Sequence, residues 1–158
     1  MNIRFFGNID LNEEYYETNI NLLDKKISLD LNLEEVLGKK DWILKYDDYV
    51  SKLLNYKEKI EKKLNEDFDD WGVTKEWIDW HIEEFDKDTI EKLVKDADSN
   101  LQLDEKLLTR VNLVRIGFYP GYENYTIWDF MLDEKISDQI LVVVTDNNGE
   151  ILDITWES

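Results

Sequence analysis

Residues 27–33 read ISLDLNL, and the strict alternation of Ile27, Leu29, Leu31 and Leu33 with Ser28, Asp30 and Asn32 is the tightest constraint in the chain. Successive side chains of a strand point to opposite faces, so this segment predicts a strand with one apolar and one polar face. Such a pattern belongs to an antiparallel sheet covered on one side. A helix would divide the same four aliphatics between two sides. Ile20 and Leu22 suit a partner strand with a turn at Asp24-Lys25, and Ile3 to Leu11, around Gly7, supplies a third. The N-terminal third therefore reads as a three-stranded β-meander.

The last third returns to the same period. Val111 to Tyr119 ends at Pro120-Gly121, a pair suited to a type II turn. Tyr125 to Met131 follows, rich in aromatic and β-branched residues. Ile140 to Thr145 and Ile151 to Trp156 flank Asp146-Asn147-Asn148-Gly149, a hairpin signal. Between the two sets of strands the period changes. Tyr46, Tyr49, Val50, Leu53, Ile60 and Leu64 recur at helical spacing, as one long helix or as two broken near Asn55. Thr74 reads as the N-cap of a helix through Phe85, and Asp88 to Glu91 as a capping box for the next. A short helix is expected around Asp104 to Leu108. The whole predicts a single α+β domain over residues 1–158, its helices packed on one mainly antiparallel sheet beside a C-terminal antiparallel meander.

Charge narrows the function classes. The 37 acids outnumber the 19 bases and leave a net charge of -18. Such a surface repels free nucleic acid and anionic membranes, and attracts a basic protein. Solubility alone is the competing explanation of the charge. There are no cysteines, hence no disulfide, thiolate metal site or cysteine nucleophile. Met1 is followed by the polar NIRFFGNIDLN rather than a basic flank and an apolar core of about 7–15 residues, so no signal peptide is expected. The expected location is the cytoplasm.

The charge is concentrated. Residues 66–91 hold eleven acids against two lysines, together with Trp71, Trp77 and Trp80. Within this segment WIDWHIEEF contains the only histidine, His81. At about 100° per residue, His81 falls in the middle of an apolar stripe with Trp77, Ile78 and Phe85, while Asp79 and Glu83 face water. Trp80 and Glu84 form the border. A histidine so placed reads as a buried core residue, not as a base or ligand. No nucleophile and orienting acid accompany it at an identifiable spacing. Glu66, Asp67, Asp69 and Asp70 lack the spaced ligands and glycine of a calcium loop, and the six glycines are isolated, which excludes phosphate-binding loops. No metal, no cofactor and no catalytic residue is therefore assigned, and the chain is expected not to be an enzyme.

Protein binding suits the pattern better, because tryptophan is enriched at interface hot spots and charge complementarity speeds encounter. The candidate interface residues are Trp80 first, then Trp71, Glu84, Asp69, Asp70 and Glu83. The competing expectation is a small-ligand or regulatory domain, with a pocket lined by Trp128, Tyr119 and Tyr125.

Five segments, IRFFGNIDLN, ISLDLNLEE, WIDWHIEEF, LLTRVNLVRIGFYP and QILVVVTDNNGEILDITWES, occur in this order. Together they resemble an uncharacterised bacterial family of small acidic proteins, filed as a domain of unknown function. The most distinctive parts are LVRIGFYP and the terminal hairpin ending in TWES. The family offers no established catalytic residues to carry over. Similar small acidic proteins are encoded near secreted toxins and regarded as immunity proteins. The resemblance thus implies a domain that neutralises a basic toxin by direct binding.

Overall fold

The computed structural model describes residues 1–158, in the order strands, helices, strands. Two short strands, β1 (Asn2–Ile3) and β2 (Gly7–Asn8), precede the hairpin β3 (Tyr15–Leu22) and β4 (Lys25–Asn32). Five helices follow: α1 (Ile43–Ser51), α2 (Leu53–Asp69), α3 (Val73–Glu84), α4 (Lys87–Val94) and α5 (Leu103–Leu108). Strands β5 (Asn112–Phe118), β6 (Thr126–Met131), β7 (Ile140–Thr145) and β8 (Ile151–Glu157) complete the chain. None of the helices is long and apolar enough to cross a membrane.

The fold is α+β, built on a six-stranded mixed sheet of order β3-β4-β5-β6-β7-β8. All neighbours are antiparallel except β4 and β5, which run parallel, with Leu29 opposite Ile116 and Leu31 opposite Phe118. The five helices lie within the connection between these two strands, as a parallel pair requires a long crossover. The expected C-terminal meander is present as β5 to β8. The N-terminal one is not, because the third candidate, Ile3 to Leu11, folds as the separate β1–β2 sheet. Phe5 sits in the left-handed region (φ 75°) and turns the chain too tightly for a long strand. Ile3 and Ile9 are nevertheless buried in the common core.

The alternation of β4 places Ile27, Leu29 and Leu31 in the core, and Leu33, just past its end, joins them; the three leucines are inaccessible. On the same face stand Ile116, Phe118, Trp128, Phe130, Leu141 and Val143, covered by helices. Tyr46 and Tyr49 of α1 meet Phe118 edge-on, with centroids 5.1 and 5.7 Å away. Beneath α1, the Tyr49 hydroxyl bonds Thr126 Oγ1 (2.9 Å) and Thr145 Oγ1 (2.8 Å) and accepts from Trp128 Nε1 (3.1 Å). Thr145 Oγ1 also donates to the Asp146 carbonyl at 2.9 Å, and the burial of this network leaves none of its polar groups without a partner. The opposite face of the sheet presents Glu17, Asn19, Asp153 and Glu157 to solvent.

Several local boundaries differ from the sequence reading. The helical break falls at Lys52, not near Asn55. The β3–β4 turn centres on Leu23-Asp24, both with positive φ, one residue before the expected pair. Asp86, not Asp88, caps α4 by accepting from the Thr89 N–H at 2.7 Å. Thr74 lies inside α3, with its hydroxyl buried and without a partner. The Pro120-Gly121 turn is confirmed, with Gly121 at φ 93° and the Tyr122 N–H donating to the Tyr119 carbonyl.

Candidate functional site

The six candidate interface residues fall into two groups at opposite ends of α3. Asp69, Asp70 and Trp71 occupy the corner where α2 meets it; Trp80, Glu83 and Glu84 lie in its last turn and a half. Thirteen residues separate Trp71 from Glu84, about 20 Å along a helix axis.

The corner is built by a Schellman turn. The Trp71 N–H donates to the Phe68 carbonyl (3.1 Å) and the Gly72 N–H to the Asp67 carbonyl (2.8 Å). In this motif the residue after the cap is left-handed and is most often glycine. Here it is Trp71, at φ 61°. The glycine instead follows, at position 72, where a Cβ would collide with the Asp67 carboxylate. That close approach lets Asp67 Oδ2 accept from the Thr74 N–H at 2.7 Å, so a residue of α2 caps α3. Trp71 is thereby held out from the surface, 74% exposed. The Lys75 ammonium lies 4.7 Å from the indole centroid. Lys75 is already neutralised by Asp79 (2.7 Å) and Asp104 (3.2 Å). Glu66, Asp69 and Asp70 are exposed and have no cation within 4.0 Å. The corner thus holds an exposed indole in a strained backbone conformation, on the same turn as the unpaired carboxylates of Asp69 and Asp70.

At the other end of α3, Trp80 is half-buried. Its ring packs edge-on against Trp156 of β8 (5.7 Å), Phe85 (5.8 Å) and His81 (5.1 Å). It closes the seam between α3 and the edge strand. Glu83 and Glu84 beside it are exposed and unpaired. Of the two tryptophans, Trp71 protrudes and Trp80 seals.

His81 has no exposed surface, in accord with its place in the apolar stripe. Its Nδ1 lies 2.8 Å from the Trp77 carbonyl, which only accepts, so Nδ1 carries the proton. Nε2 then accepts from the Ser137 hydroxyl at 2.7 Å, and Ser137 Oγ accepts from the Gln139 N–H. Burial pushes the His81 pKa down. The serine–histidine contact resembles half a hydrolytic triad. Here the orienting group is a carbonyl of the same helix rather than an acid, and Ser137 is 3% exposed, with no approach for a substrate. The contact pins the β6–β7 loop to α3.

A second polar constellation, which the sequence reading did not find, lies on the solvent face of the sheet. Arg115 of β5 donates from Nε to Asp30 Oδ1 (2.6 Å), from Nη2 to Asp30 Oδ2 (2.9 Å) and the Tyr119 hydroxyl (2.8 Å), and from Nη1 to Asp129 Oδ2 (3.1 Å). Gly117 makes this possible, since a Cβ there would stand 2.5 Å from Arg115 Nη2. The Asp30 hydrogen bonds raise the Arg115 pKa. Burial raises that of Asp129, whose Oδ1 has no partner. Gly117, inside β5, is the local sequence trace of this cluster.

Trp128, Tyr119 and Tyr125 do not share a pocket. Trp128 is inaccessible in the helix-side core and Tyr125 is buried, while Tyr119 joins Arg115 on the solvent face. The aromatics that border a depression, of about 390 Å³, are Trp42, Tyr122 and Tyr125. No three carboxylate or imidazole groups converge to hold a metal ion. Comparison of the chain with family models, with curated proteins and with solved structures gives no match.

Proposed function

We propose that the chain is a non-enzymatic protein-binding domain that docks a basic partner at the corner between α2 and α3. The observation that carries this reading is Trp71: a large aromatic, 74% exposed, in a left-handed position where glycine is the usual residue. Strain and exposure both cost stability, and a side chain that incurs both without filling the core points to a role outside it. An exposed indole at the helix corner that also carries the unpaired Asp69, Asp70 and Glu66 is the chemistry of an interface anchor for a lysine- or arginine-rich surface. Trp80, Glu83 and Glu84 extend the acidic surface along α3, and a standard interface of about 800 Å² per partner is wide enough to include both ends. Neutralisation of a basic toxin is the form of this function that the family resemblance implies.

The test is capture from host lysate at low salt, on immobilised wild-type chain and on Trp71→Gly in parallel. A basic protein retained by the wild type and depleted on the variant supports the proposal. Recovery of no basic protein, or equal retention on both columns, overturns it.

A further inference from the structure

In a molecule of net charge -18, one groove is basic. It is a depression of about 850 Å³ at the end of the sheet where β4 and β5 begin. Six cations line it from four separate stretches of chain: Lys25 and Lys26 at the start of β4, Lys92 and Lys95 at the end of α4, Arg110 before β5, and Lys135 in the β6–β7 loop. Two acids, Asp133 and Glu134, also line it. The pairing of these cations sets them apart. Of the other thirteen Lys and Arg residues, seven have a carboxylate within 4.0 Å; of these six, only Arg110 does, to Asp96 at 3.8 Å. Lys92 and Lys95 favour a helix C-terminus on their own account. That explanation does not reach Lys25, Lys26 or Lys135, which belong to strands and a loop.

Two contacts shape the groove. Arg110 Nε donates to the Leu93 carbonyl at 3.0 Å, tying the approach to β5 to the end of α4. Lys25 donates to Asn112 Oδ1, and Asn112 Nδ2 donates to the Arg110 carbonyl at 3.0 Å. Five of the six cations are therefore gathered with no carboxylate within 4.0 Å, although acids are almost twice as numerous as bases.

We infer that this groove is a binding site for a compact, multiply charged phosphate-bearing small molecule. The volume falls in the range of small-molecule sites, about 300–1,000 Å³. The local excess of four positive charges matches a ligand carrying three or four negative charges rather than a monoanion. Compactness follows from the rest of the surface. At physiological salt the screening length is about 8 Å, so a ligand confined to the groove feels the six cations, whereas an extended polyanion would also cross the acidic surface. This site is distinct from the α2–α3 corner and does not depend on its role.

The experiment is calorimetric titration of the full chain with inorganic tripolyphosphate, ATP, AMP and orthophosphate. Tripolyphosphate and ATP should bind, AMP and orthophosphate at least about tenfold more weakly, and binding should fall steeply between about 50 and 300 mM salt. Lys26→Glu/Lys95→Glu should abolish it, while Lys62→Glu/Lys63→Glu, exposed on α2 outside the groove, should leave it unchanged. Should the double glutamate variant fail to fold by circular dichroism, Lys26→Gln/Lys95→Gln replaces it, with an expected loss of about tenfold. No heat at millimolar tripolyphosphate in low salt overturns the inference, as does equal binding by the groove variants. Salt-sensitive self-association that the groove variants abolish would also overturn it, by showing that the occupant is the acidic surface of another copy.

Discussion

Replacing Trp71 tests whether the indole is there for folding or for something else. An L-residue in the left-handed region costs about 1–2 kcal/mol, and Trp71 at φ 61° carries that cost in full. Trp71→Gly removes it but returns about 0.5–1 kcal/mol as extra entropy of the unfolded chain. Loss of the cation–π contact with Lys75, 4.7 Å from the ring, costs about another 0.5–1 kcal/mol at so exposed a site. These terms nearly cancel, so Trp71→Gly should change the unfolding free energy by less than about 1 kcal/mol. Truncation of the inaccessible Trp77 to alanine should instead cost about 3–5 kcal/mol. The sharper comparison is with Trp71→Ala, which deletes the same indole but keeps the strained backbone. Glycine should be the more stable of the two by about 1 kcal/mol, the reverse of their usual order inside elements. Urea denaturation of the three proteins, at unchanged m-value, reads these differences. A loss above about 2 kcal/mol for Trp71→Gly, or alanine at least as stable as glycine, would refute the reasoning.

Four further outcomes follow from the polar contacts and from the burial of His81. Asp67→Ala removes the side chain that caps α3 from α2 and should cost about 1 kcal/mol in denaturant unfolding. Arg115→Ala leaves Asp30 and Asp129 buried without their cation and should cost about 3 kcal/mol. Asp129→Asn, at a carboxylate already short of one partner, should cost under about 1 kcal/mol by the same measurement. His81 is held neutral by burial, so between its lowered folded pKa and the ordinary 6.5 the unfolded chain binds more protons. Its contribution is present above that window and is lost as pH falls through it, at up to about 1.4 kcal/mol per pH unit. The stability of His81→Gln should show a correspondingly shallower dependence just below about pH 6.5, and an unchanged slope would contradict the buried neutral assignment.

The sequence made some of these features legible and hid others for definite reasons. The period of ISLDLNL and the DNNG turn are local signals, and β4 and the β7–β8 hairpin stand where they point. His81 was placed by helical phase alone, which holds wherever α3 is straight. The β4–β5 pairing was not legible, since it joins segments about 80 residues apart and leaves no local period. The detached β1–β2 sheet depends on a left-handed Phe5 that no propensity foretells. Within the candidate site, the acid–tryptophan coincidence pointed to α3, but helical phase could not rank Trp71, which lies before the helix begins. Arg115 with Asp30 and Asp129, and the basic groove from four stretches of chain, are assembled only by the tertiary fold. A charge count along the chain detects the acidic segment and averages the groove away.

The central claim is that the α2–α3 corner binds a basic protein through Trp71. Its most direct test is the affinity of the captured partner, once purified, for wild type and for Trp71→Gly, measured by calorimetry at two salt concentrations. The variant should bind at least about tenfold more weakly, a loss of about 1.4 kcal/mol or more. Both proteins should weaken as salt rises, with the stability of the variant unchanged. Equal affinities in a folded Trp71→Gly would contradict the claim.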